Sequence, residues 1–97
     1  MKLSTLKKRL KGFANIQNMS SVSSGRDVCN QFEIYFDNAK VFQSYSSIIA
    51  IRYKGTIYLT DKYDYSVTTM KYLKQFLGHG IKETRELLES GSYKLLS

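Results

Sequence analysis

The stretch richest in reactive side chains is "YLTDKYDYSVTTMKYL", residues 58–73, which holds Asp61, Asp64, Ser66, Thr68, Thr69 and four tyrosines. An enzyme could use such a run if a nucleophile, a base and an orienting acid converged. Ser66, Asp64 and His79, the single histidine, are one such set. No nucleophile elbow surrounds Ser66, however, and His79 lies between Gly78 and Gly80, where a solvated loop is expected. Asp61 with Asp64, or Glu33 with Asp37, could hold Mg²⁺ or act as an acid–base pair. Both pairs border expected turns, where aspartate side chains bond nearby backbone N–H groups. Zinc needs about four Cys or His ligands, and this chain has one of each. "GHG" lacks both the preceding strand and the following Lys-Ser/Thr of a phosphate loop. The expectation is a protein that is not an enzyme and has no cofactor or metal. Residues 58–66 then read as a joint, with Ser66 capping a helix.

Charge points elsewhere. The formal net charge is +7, and it is unevenly spread. Residues 1–26 carry six bases (Lys2, Lys7, Lys8, Arg9, Lys11 and Arg26) and no acid, whereas residues 27–97 carry nine bases against eight acids. Such asymmetry suggests an anionic partner: nucleic acid or an acidic protein surface. Arg52, Lys54 and Lys62 also alternate with Tyr53, Tyr58 and Tyr63. Aromatic rings among bases on an open sheet face are a platform for stacking single-stranded bases. Tyrosine is equally a good strand residue that a helix could cover.

The elements that must position these groups follow from periodicity. Leu3, Leu6, Leu10 and Phe13 recur at helical spacing after a Ser4 or Thr5 cap, with Lys7, Lys8 and Lys11 turned away. Gly12 leaves the end of this helix open. "NMSSVSSGRD", residues 18–27, reads as a linker. Phe32, Ile34 and Phe36 then alternate with polar residues as in a half-buried strand. "DNAK" turns the chain, "KVFQSY" extends again, and "SIIAIRY" is apolar enough on both faces to lie mid-sheet. "KG" at 54–55 turns into "TIYLT". Val67, Met70, Leu73 and Leu77 form a helical stripe that stops at Gly78. A second helix over 81–90 puts Ile81, Thr84, Leu87 and Leu88 inward and stops at Gly91, and "SYKLL" can add an edge strand. Residues 66–90 are unsuited to a helix–turn–helix reader, because Glu83, Glu86 and Glu89 would meet phosphates.

The expected fold class is α+β: an antiparallel three- to four-stranded meander, an N-terminal basic helix and two C-terminal helices, packed on one face. Residues 1–26 form the basic helix and a Ser-rich linker, and 27–97 form the compact part of a single domain. No run nears the roughly 18 apolar residues that span a bilayer, so no membrane role is expected. No apolar leader core occurs near the start, and a lone Cys29 suits a reducing, cytoplasmic setting.

Residues 42–77 resemble a family of small bacteriophage and mobile-element proteins, through "SYSSIIA" at 44–50 and "YDYSVTTMKYLKQFL" at 63–77. The resemblance covers about a third of the chain, leaves the basic head outside it, and brings no activity or site residues. It implies a short accessory protein working inside a bacterial host cell, of a kind that often blocks host machinery. The expected function is therefore inhibition of a host protein or ribonucleoprotein complex, such as a CRISPR effector, by occupying a binding surface. Lys7, Lys8, Arg9 and Lys11 would meet anionic groups together with Arg52 and Lys54, while Tyr53 would stack or pack. The alternative is direct binding of DNA or RNA, as a single-strand binder or small regulator.

Overall fold

The computed structural model describes residues 1–21 and 23–97. Five strands form an antiparallel meander: β1 (Phe13–Ser20), β2 (Asp27–Phe36), β3 (Ala39–Ser44), β4 (Ser47–Tyr53) and β5 (Thr56–Leu59). Helices α2 (Val67–Leu77) and α3 (Ile81–Ser90) then return the chain so that β6 (Lys94–Leu95) pairs parallel with β5. A parallel neighbour needs such a crossover, because a tight turn can only reverse direction. The sheet order is β1-β2-β3-β4-β5-β6. The short helix α1 (Leu3–Arg9) precedes the sheet.

The fold class is α+β, as expected, and the placement of helices is richer. Alternation along the strands builds two cores rather than one. Phe42, Ile49, Ala50, Ile57 and Leu59 pack with Tyr72, Leu73 and Phe76 of α2, and Leu88 of α3 joins them. Val41, Ile51 and Tyr53 pack on the other face with Leu6 of α1 and with Leu96. α2 and α3 thus share a face, while α1 covers the opposite one. A register shift in β3–β4 pairs Phe42 with Ala50 and Gln43 with Ile48. The extra residue, Ile49, explains why consecutive Ile49 and Ala50 enter the same core.

The first 26 residues differ most from expectation. Phe13–Ser20 is a strand, so the stretch read as a linker shrinks to the β1–β2 turn, within which Val22 lies outside the described residues. The helix ends at Arg9, and neither Ser4 nor Thr5 caps it. Its N-cap residue is Lys2, and the Leu3 N–H donates to the Ser97 carbonyl at 3.1 Å. Gly12, past the helix, has φ +70°, a left-handed conformation that glycine adopts without a Cβ penalty. A Cβ there would also collide with the Asp37 carboxylate.

The joint at 58–66 performs as read. Ser66 caps α2, accepting from the Thr69 N–H at 3.1 Å, and Gly78 ends the helix at φ +89°. The apolar stripe is rotated, however: α2 buries Thr69, Tyr72, Leu73 and Phe76, and Val67 is 80% exposed. Thr69 shares the buried side with the large rings of Tyr72 and Phe76, and its Oγ1 lies 3.1 Å from Ser44 Oγ. At about 100° per residue, Val67 is then carried to the far side of the helix.

Candidate partner-binding face

Lys7, Lys8 and Arg9 occupy the last turn of α1, where their charge complements the negative end of the helix dipole. All three are exposed, as is Lys11. Leu6 is buried in the core between α1 and the sheet, with Leu3 and Leu10 partly buried beside it. The apolar side of the helix is therefore consumed by packing, and its basic side faces solvent.

The turn between β2 and β3 fixes where this helix ends. Asn38 Nδ2 donates to the Arg9 carbonyl at 2.7 Å, and the Lys11 N–H donates to Asn38 Oδ1 at 3.0 Å. One turn side chain thus holds both flanks of the α1–β1 junction. In a meander alternate turns share an end of the sheet, so the β4–β5 turn with Lys54 lies at the same end as Asn38. Lys54 Nζ sits 5.5 Å from the Tyr53 ring centroid, on the α1 side. Lys7, Lys8, Arg9, Lys11 and Lys54 therefore share one side of the sheet. Among the described residues none of them forms an ion pair.

Two of the expected residues belong elsewhere. Arg52 is exposed but projects from the other face, 5.8 Å from the Phe76 ring of α2. Tyr53 is only 7% exposed within the α1-side core. It packs, and its buried ring is closed to an incoming base. The exposed aromatic ring near the basic helix is Phe13, 63% exposed and edge-on to Phe36 at 5.9 Å. Sequence periodicity assigns Phe13 to the helix, whereas Phe13 opens β1, beyond the break at Gly12.

The groups weighed for catalysis are dispersed. Ser66 and His79 stand at opposite ends of α2, whose eleven residues span roughly 16 Å. Asp64 pairs with Arg85 at 3.5 Å, and Glu33 pairs with Lys40 at 2.9 Å. His79 is not in a solvated loop as expected. Its ring stacks on Tyr93 at 5.6 Å, and its Nε2 lies 2.6 Å from the Tyr93 hydroxyl. Burial raises the Tyr93 pKa, with Arg52 opposing the shift and Glu83 adding to it. Among the described residues no group of three or more His, Cys, Asp or Glu side chains gathers to hold a metal ion. No helix among the described residues is long and apolar enough to cross a membrane.

No match was found among curated proteins or solved structures. A family model does match, over residues 8–91. That span reaches well beyond 42–77 and takes in Lys8, Arg9 and Lys11, so most of the basic head belongs to the shared part. Covering most of the length, it makes this chain a member of DUF8033, a family of unknown function.

Proposed function

We propose that the protein is a non-catalytic accessory protein, of phage or mobile-element origin, that acts inside a bacterial host cell. It docks its α1 face on an acidic or phosphate-bearing surface of a host nucleic-acid-processing complex, such as a CRISPR ribonucleoprotein, and inhibits it by occupying that surface. The supporting observation is the cluster Lys7, Lys8, Arg9 and Lys11: exposed, free of carboxylate partners among the described residues, and unneeded by the core beneath. Such bases recognise carboxylates and phosphates by charge-assisted hydrogen bonds. Lys54 extends the patch, and Arg52 would serve only a partner reaching around the sheet.

A second reading, direct binding of nucleic acid, draws on exposed Phe13 next to these bases, since an aromatic ring can stack on an unpaired base. Fluorescence anisotropy with labelled single- and double-stranded DNA and RNA separates the two. Deleting the head would strip Leu6 and Met19 from the cores, so the comparison is with Lys7→Gln/Lys8→Gln/Arg9→Gln/Lys11→Gln. For direct binding to duplex DNA through four phosphates, the log–log salt slope is about −3.6, and it is lost in the variant. No binding at near-physiological salt, together with capture of a host complex by the unmodified chain alone, supports the docking reading. If neither nucleic acid nor host complex distinguishes the two chains, both readings fail.

A further inference from the structure

The two hydroxyl-rich segments, 44–50 and 63–77, meet across a cavity of about 390 Å³. It lies at the β3–β4 turn, at the end of the sheet opposite the Asn38 turn. Its polar wall comprises Ser44, Ser46, Ser47, Thr69 and Lys62, and Ile49 with Tyr45 and Tyr65 supplies the apolar part. A cavity of this volume falls within the range of small-molecule sites, roughly 300–1,000 Å³.

Counting protons shows what the wall lacks. Ser66 accepts from the Thr69 N–H and donates its own hydroxyl proton to Thr69 Oγ1 at 3.0 Å. Thr69 Oγ1 and Ser44 Oγ share one further hydrogen bond. Three hydroxyl protons thus serve two hydroxyl–hydroxyl bonds. The third, on Ser44 or Thr69, has no acceptor among the described residues, and both residues are buried and line the cavity. Gln31 stands directly across from Ser44 in the β2–β3 register, hence on the same face of the sheet. It is 0% exposed, and neither its Oε1 nor its Nε2 has a partner. Unmet buried polar groups are costly; Gln31 does not itself line the cavity, whereas the spare hydroxyl proton is carried by a residue that does, and it asks for an acceptor there. Lys62 specifies its charge: the ammonium has no carboxylate partner among the described residues and lies 5.1 Å from the Tyr65 ring centroid.

We infer that this cavity binds a small molecule bearing an oxyanion, phosphate or carboxylate, on a flat or apolar body. The oxyanion accepts from the spare hydroxyl proton and from Lys62, and the body lies against Ile49 and the tyrosine rings. Tyr65, 75% exposed at the rim, is free to close on a planar group. The site shares no residue with the α1 face and stands or falls separately.

The test is a titration of the ¹⁵N-labelled full chain, followed by amide shifts, with adenosine 5′-monophosphate, adenosine and benzoate as probes. Adenosine monophosphate or benzoate is expected to move amides of 44–49 and 62–69 saturably, and adenosine is not. A response to the nucleotide alone selects phosphate, and a response to benzoate alone selects carboxylate. Lys62→Ala, an exposed change, should weaken binding by about ten-fold or more, as expected for one charge-assisted hydrogen bond. Thr69→Val should do likewise and Thr69→Ser should restore binding. If Thr69→Val fails to fold, Lys62→Ala decides alone. The inference is overturned if no probe gives a saturable shift by about 10 mM, well above a millimolar Kd. It is overturned equally if the shifts fall on Lys7–Phe13, or if Lys62→Ala leaves affinity unchanged.

Discussion

Ser66 and Gly12 each fix a junction through a single atom's worth of chemistry, and each can be tested alone. Removing the cap with Ser66→Ala should lower the unfolding free energy measured by urea denaturation. The loss should reach the upper part of the usual range, about 2 kcal/mol, because Ser66 also donates to the buried Thr69 hydroxyl. Gly12→Ala should cost about 1–3 kcal/mol, since alanine resists φ +70° and its Cβ meets Asp37. Tyr93 sets a pH dependence. Its folded pKa lies above the ordinary 10.0, so its contribution is present in full below pH 10 and fades as pH rises through the folded value. Tyr93→Phe should accordingly flatten the alkaline fall in stability measured from pH 9 to 11 relative to the unmodified chain.

At the scale of elements, α1 is held by its apolar side and presents its basic side. Leu6→Ala should cost about 2–5 kcal/mol, because Leu6 is wholly buried between α1, Val41, Ile51 and Leu96. Neutralising Lys7, Lys8, Arg9 and Lys11 should shift stability by no more than about 0.5 kcal/mol per site, the usual range for surface changes. Equal losses in the two variants would mean that the bases are structural. Legibility followed the same division. β2 through β5, the Ser66 cap and the Gly78 and Gly91 stops could be read, because period-2 alternation and turn chemistry are local signals. β1 could not, since "FANIQNMS" carries no clean alternation: only Met19 is buried along it, and the strand exists because β2 offers a partner edge. Basic Lys7–Lys11 were visible from charge alone. That Arg52 and Tyr53 face opposite ways follows from strand alternation, but that the Tyr53 face is the covered one depends on α1 crossing to it, which no local pattern records. The His79–Tyr93 stack likewise joins residues 14 apart across a helix.

For the molecule as a whole, two cores back to back on one sheet make β4 the shared wall, with Ile49 and Ala50 serving one side and Ile51 and Tyr53 the other. Bases without ion pairs among the described residues lie on both outer surfaces, but on the α2–α3 side they are mixed with acids, including the pairs of Lys40 with Glu33 and Arg85 with Asp64, whereas Lys7, Lys8, Arg9 and Lys11 cluster with no acid among them. Complex formation through the α1 face should therefore weaken steeply with salt while unfolding does not, a contrast that parallel binding and denaturation series would show. The first and last residues also meet: the Ser97 N–H donates to the Met1 carbonyl at 3.2 Å, and the Leu3 N–H donates to Ser97. Mechanically these bonds act as a clasp: α1 and the segment after β6 are held as one unit, with Leu6 and Leu96 in the same core, so Leu96→Ala should loosen both, seen as faster amide exchange at Leu3.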